Sequence, residues 1–184
     1  MGSMNHPFPM HIFRAYDIRG KVSLLGAGII DAIAHGLAQQ YQAAGQTRVA
    51  IGYDARISSP AFADIIARIF KDYSLEATII GCCSSPMLYF TARQFDGNGI
   101  MVTASHNPKE DNGIKWIIDG EPPCPEMIQQ VAQLAKSHCD SQLITLAELP
   151  HQIIPEFCLQ YQQGILEDIQ LKRSFKVILD GLHG

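Results

Sequence analysis

The chain has 184 residues, 14 Lys+Arg against 18 Asp+Glu, and a formal charge of −4. That length holds one domain, or one domain and part of another, and can build a core without disulfide staples. The 47% apolar share is that of a globular chain, the acidic balance excludes a strongly basic nucleic-acid binder, and no run of about 18 apolar residues offers a membrane span.

Met1-Gly2-Ser3-Met4 reads as the remnant of an expression tag, because no apolar stretch of a signal peptide follows it. Five cysteines without a secretion signal predict a reduced, cytoplasmic protein. The segment FRAYDIRG, residues 13–20, reads as a loop. Residues 26–45 place Ile29, Ile30, Ile33, Leu37 and Tyr41 on one helical face, and Gly45 supplies a stop. RVAIG, 48–52, predicts a strand. Ser59-Pro60 predicts a helix start with Ser59 as N-cap and Pro60 first in the helix; Phe62, Ile65, Ile66 and Ile69 form its buried face. EATIIG, 76–81, is the next strand, and a second Ser-Pro pair, Ser85-Pro86, opens a helix to about Phe95. Strands follow at 98–103 and 114–118, separated by a polar loop, and then a helix over 125–138.

This alternation predicts a three-layer α/β/α sandwich around a mixed sheet. The pattern breaks over SQLITLAELP, which puts one domain at 8–150 and a second unit at 151–184. In that second unit, 155–171 reads as an amphipathic helix and Phe175 to Leu179 as a buried strand running into Asp180-Gly181. The expectation is a truncated piece of a longer protein. A strand that has lost its sheet invites edge pairing, so the piece is expected either to self-associate or to dock this segment on its own domain.

Three clusters are suited to chemistry. TASHNPKEDNGIK, 103–115, follows a strand and so lies where α/β sheets hold ligands. Its Ser105 becomes a near-dianion if phosphorylated, needing cations and N–H donors nearby. His106 is a neighbouring donor, Asn107-Pro108 and Asn112-Gly113 read as tight turns, and Lys115 returns a positive charge. By composition alone, a plain surface turn is the more economical reading of this cluster. FRAYDIRG offers Arg14 and Arg19 as phosphate forks, with Asp17 to orient one of them; the alternative is a structural Asp–Arg pair. GYDARISSP, 52–60, has Asp54 and Arg56 between a strand and a helix start, and an Asp–Arg pair bracing the loop is favoured over an anion site. Cys82-Cys83 has no metal-ligand spacing, and histidines such as His35 read as structural or solvated.

Taken together and in order, FRAYDIRG, GYDARISSP, TASHNP and NGIK resemble the α-D-phosphohexomutase family over roughly residues 11–140. The resemblance implies a four-domain protein, of which this chain is the first domain and the opening of the second. It implies interconversion of hexose 1- and 6-phosphates of the mannose/glucose kind, through a phosphoserine and a bisphosphorylated sugar. Ser105 takes the place of the phosphoserine and holds Mg²⁺ through its phosphoryl group. Arg19 and Lys115 match residues assigned to proton transfer, Tyr16 lines the site, and His106 and Asn107 flank the serine. A hexose bisphosphate is the implied activator. The family's Asp-rich metal loop, sugar-recognition loop and C-terminal phosphate loop have no counterpart here, so the piece alone is expected to be inactive. Phosphoglucosamine mutase, a non-catalytic module that keeps the fold, and a serine hydrolase are the alternatives; the last lacks a G-x-S-x-G elbow at Ser105.

Overall fold

The computed structural model describes residues 8–139 and 148–181. Its centre is a five-stranded sheet in the order β1-β5-β4-β2-β3, built from β1 (Ile18–Lys21), β2 (Arg48–Tyr53), β3 (Glu76–Cys82), β4 (Gly99–Val102) and β5 (Asp111–Ile117). β3, β2 and β4 run parallel, while β5 and β1 join antiparallel, so the sheet is mixed. Side-chain alternation along the strands splits the core into two layers. Val49, Ile51, Ile100, Val102, Ile114 and Trp116 face one side. There they meet α1 (Ala27–Ala43), α2 (Ser59–Asp72) and α4 (Pro125–His138). Ala50, Ile80 and Met101 face the other side and meet Leu88 of α3 (Ser85–Ala92), with Phe157 of α5 (Pro155–Asp168) packed alongside.

The helix ends follow their residues. Gly45, at φ +71°, ends α1: its N–H bonds to Gln42 O at 2.9 Å and that of Gln46 to Tyr41 O at 3.0 Å, the paired bonds of a left-handed glycine cap. Inside, Trp116 Nε1 donates to Gln40 Oε1 at 2.9 Å, and Gln40 Nε2 donates to Met127 O at 3.0 Å, which ties α1, β5 and α4 through one side chain. His35 is structural: its Nδ1 lies 3.0 Å from Tyr73 OH, and its ring stacks on His138 at 4.8 Å.

Several sequence expectations change. FRAYDIRG is not a loop throughout. Phe13 bridges to Ile18 and the chain continues as edge strand β1, pairing with β5 from Ile18↔Ile114 to Lys21↔Asp111. Asn112-Gly113 is therefore strand, not turn. Ser59 is not the N-cap of α2: Ser58 precedes the helix, Pro60 is its second residue, and the Ser59 hydroxyl donates to Asp54 Oδ1 at 2.7 Å. In α3 the cap is Ser84, whose oxygen accepts from Met87 N at 3.4 Å.

The stretch Phe175–Leu179 is neither strand nor buried; Ile178 and Leu179 are 92% and 90% exposed. Among the described residues it pairs with no strand. The end of the predicted first domain falls partly on 140–147, outside the described residues. Residues 148–168 pack on the same body. Gly81 bridges to Ile153, Gln152 N–H donates to Tyr53 OH at 2.9 Å, and Phe90 of α3 meets Tyr161 of α5 edge-to-face at 5.5 Å.

Candidate functional site: the Ser105 loop

Strand β4 ends at Val102 and the chain turns out of the sheet through Thr103 and Ala104, both buried, to Ser105, which is exposed. Ser105 sits at φ +56°. The left-handed region costs an ordinary residue about 1–2 kcal/mol, so surrounding contacts must impose it.

Those contacts converge on Asp54, at the end of β2. Asp54 Oδ2 accepts from Thr103 Oγ1 at 2.8 Å and from Arg56 Nε at 3.0 Å; Oδ1 accepts from Ser59 Oγ and from Arg56 N–H. Thr103 Oγ1 in turn accepts the Ser105 N–H at 2.9 Å. Arg56 uses its remaining donors on four backbone carbonyls. NH2 reaches Ser105 O at 2.9 Å and Asn107 O at 2.8 Å; NH1 reaches Pro108 O at 2.6 Å and Asp111 O at 3.0 Å. A guanidinium has five N–H groups, and here all five are engaged. The favoured reading of Asp54–Arg56 as a brace holds, but the loop it braces is the serine's. The residue types were visible in the sequence; their partner, some 50 positions on, was not.

Arg19 arrives from the other side. Its NH2 pairs with Asp17, and its NH1 donates to Asn107 Oδ1 at 2.9 Å; Asn107 Nδ2 donates to Asp111 Oδ2 at 2.7 Å. Among the described residues, Arg19 Nε is buried without a hydrogen-bond partner. Register fixes where Lys115 points. Opposed residues of an antiparallel pair share a face. Lys115 opposes Met101 and Arg19 opposes Gly113, so Lys115 and Arg19 both lie on the α3 side of the sheet. Gly113 permits this crossing: a Cβ there would sit 2.4 Å from Ile18 O and 2.9 Å from Thr103 O.

His106 is exposed, with Nδ1 3.4 Å from Ser105 Oγ, and Tyr16 is 81% exposed at the turn before β1. Arg14, the other predicted phosphate fork, is also exposed. The structure therefore brings Ser105, His106, Asn107 and Arg19 into one chain of contacts and puts Lys115 on Arg19's face of the sheet. A cavity of about 1000 Å³ flanks the loop, lined by Ser105, Asn107, Arg56, Val22 and Ile57; Arg19 and Lys115 are not among its lining residues. Just past the end of β3, burial pushes the Cys83 thiol up to about 12, with the neighbouring Cys82 adding to the effect. Cys82, the last residue of β3, and Cys83 are both half-buried. Among the described residues, no three of His, Cys, Asp and Glu converge as metal ligands, and no helix is long and apolar enough to cross a membrane.

Comparison with known proteins gives this arrangement a context. The family described as phosphoglucomutase/phosphomannomutase, alpha/beta/alpha domain I, matches residues 10–140. A phosphoglucomutase of Neisseria meningitidis is 32% identical over 94% of the chain, and a phosphomannomutase/phosphoglucomutase of Pseudomonas putida is 33% identical over 94%. The chain spans 37% and 36% of their lengths. A crystal structure of a phosphoglucomutase/phosphomannomutase family protein from Burkholderia thailandensis superposes with a TM-score of 0.73 at 25% identity, over 89% of this chain and 37% of that one. Its α/β/α layering and its match over most of its length show that the chain belongs to the phosphoglucomutase/phosphomannomutase family, as that family's domain I.

Proposed function

We propose that this domain carries the phosphoryl-bearing serine, Ser105, of a cytoplasmic phosphohexomutase acting on glucose and mannose phosphates. The observation that carries the reading is the exposed Ser105 hydroxyl, on a backbone bonded at both its N–H and its C=O, beside the Arg19–Asn107 contact. Relatives named for glucose and mannose phosphates favour those sugars over glucosamine. Five cysteines, an odd count, agree with a reducing compartment.

In this reading the bond from phosphorus to Ser105 Oγ breaks as a bond to a sugar hydroxyl oxygen forms. The hydroxyl proton leaves to a base on the Arg19 face, the place of Lys115, while the departing Ser105 Oγ takes up a proton; the return transfer reverses both proton movements. The bisphosphorylated sugar turns over, and its other phosphoryl group returns to Ser105 Oγ, which leaves the isomeric monophosphate. Such transfers run on positioning and charge stabilisation. Arg19 is always charged and has donors to spare, so its part is to hold phosphoryl oxygens. Asn107 orients Arg19, His106 donates beside the serine, and Tyr16 meets the sugar. Mg²⁺ would supply further charge neutralisation, held here through the phosphoryl group of Ser105; among the described residues no group of His, Cys, Asp and Glu composes a metal site. For that reason the 184-residue chain by itself is expected not to turn over hexose phosphates. Its exposed Phe175–Leu179 tail is expected to give a solution mass above that of the monomer.

The test is phosphopeptide mapping of the full-length protein after incubation with glucose 1,6-bisphosphate. One phosphoryl group on Ser105 is expected, with Ser105→Ala losing it along with roughly three orders of magnitude or more in kcat. Phosphate on another residue, or full turnover by Ser105→Ala, overturns the assignment.

A further inference from the structure

We infer that Asp54 and Arg56 are positioning residues of this site: together they impose the left-handed backbone of Ser105, and Arg56 acts through its shape rather than its charge. The inference rests on the proposed role of Ser105.

Asp54 anchors Ser105 twice. One branch runs from Asp54 Oδ2 through the Thr103 hydroxyl to the Ser105 N–H; the other runs from the same oxygen through Arg56 to the Ser105 carbonyl. The peptide groups on both sides of the Ser105 Cα are thus held by one carboxylate, which fixes φ and ψ while leaving Oγ free. The same guanidinium gathers the carbonyls of Asn107, Pro108 and Asp111, so the loop is folded around it. With every N–H spent inside the protein, Arg56 has none left for a phosphate, although its NH2 reaches the Ser105 carbonyl. Asn112 completes the foundation. It is fully buried in β5, and its Nδ2 donates to Ser58 Oγ at 2.7 Å and Ser59 Oγ at 3.0 Å, while Ser59 donates to Asp54. The base of the clamp is therefore tied to the strand that also carries Lys115.

A lysine at 56 keeps the charge but has three donors on a flexible stem and cannot span four carbonyls and Asp54. Shape and charge are thereby separable. The experiment compares Arg56→Lys and the near-isosteric Thr103→Val in two readouts. The first is hydrogen exchange of residues 103–111 in this 184-residue chain, with Ser105→Ala as reference. The second is kcat and KM of the full-length protein.

Expected are amide exchange in that loop at least about tenfold faster in both variants, unchanged exchange in α1 and α4, and wild-type exchange in Ser105→Ala. A kcat lower by roughly 100-fold with KM within about threefold is expected as well, as for a nucleophile displaced by about an ångström. Wild-type loop exchange in Arg56→Lys, or retention of its kcat within about threefold, overturns the inference. Should Ser105→Ala remain active, the phosphoserine reading fails, and the exchange arm still decides whether the clamp sets the loop.

Discussion

Asp17-Ile18-Arg19 and Asp54-Ala55-Arg56 are the same local pattern, an acid two residues before an arginine, and burial does not tell them apart: the arginine side chains are 14% and 13% exposed. Donor accounting does. Arg56 spends all five N–H groups on Asp54 and the loop, whereas Arg19 engages Asp17 and Asn107 and keeps the rest. One arginine has become part of the scaffold; the other, among the described residues, leaves a buried Nε unpartnered and one N–H unused on each terminal nitrogen. An arginine's distance from a reacting group therefore says less about its function than the number of donors the protein has left it.

The sharpest way to break this contrast is to truncate each arginine. Arg56→Ala leaves a carboxylate and four carbonyls without their partner and is expected to lower stability by about 3 kcal/mol or more. Arg19→Ala is expected to lower it by about 1–2 kcal/mol, while full-length turnover falls by roughly 100-fold. Denaturant melts beside kinetic assays check the pair; the reverse order of stability losses defeats the contrast.

Next in size is Gly113→Ala. Both atoms its Cβ would strike, Ile18 O and Thr103 O, are backbone and cannot swing aside. A loss of about 2–3 kcal/mol is expected, together with a weakened β1 and a displaced Arg19. A melt unchanged from wild type would show that β1 can lift away freely.

An effect confined to alkaline pH lies at the end of β3. The Cys83 thiol is held at about 12 in the fold, above its unfolded value near 8.5, mainly by burial. Between those values the unfolded chain has lost the proton and the folded chain has not, so stability is full below about pH 8 and falls as pH rises through that window. The slope is at most about 1.4 kcal/mol per pH unit. Cys83→Ala is expected to flatten the pH dependence of the melting midpoint there; equal slopes for the two proteins would contradict the burial.

The smallest change is expected from Tyr16→Ala. The side chain is open to solvent, so stability stays within about 0.5 kcal/mol while KM for the sugar phosphate rises. A KM equal to wild type removes Tyr16 from the site.

The helices and parallel strands were legible because their signals are local: Pro125 opens α4, Gly45 closes α1, and the apolar runs of β2 and β3 stand between turn residues. β1 was not, since four residues reading Ile-Arg-Gly-Lys at a sheet edge show no alternating pattern. Asn112-Gly113 has turn composition, yet Asn112 is buried for its bonds to two serines and Gly113 for the closeness of two strands. Phe175–Leu179 has the composition of a buried strand but stands exposed, and pattern alone does not supply a partner. At the site, the residue types were readable and their pairing was not. Arg56 meets Ser105 and Arg19 meets Asn107 across 49 and 88 positions of sequence.

The pairing of β1 with β5 also sets a timetable. Ile18 finds Ile114 only after almost a hundred further residues have been made. At translation speeds of about 5–20 residues per second, the edge strand waits roughly 5–20 s for its neighbour. During that wait Arg19 and Asp17 hang on an unpaired N-terminal arm, while β2, α2 and β3 already have one another. The serine loop is synthesised onto a half-built sheet, and the arginine that will face it is the oldest part of the domain and among the last to arrive. A nascent chain halted before residue 111 should therefore be cut by protease between residues 13 and 21, and one released beyond residue 118 should not be cut there.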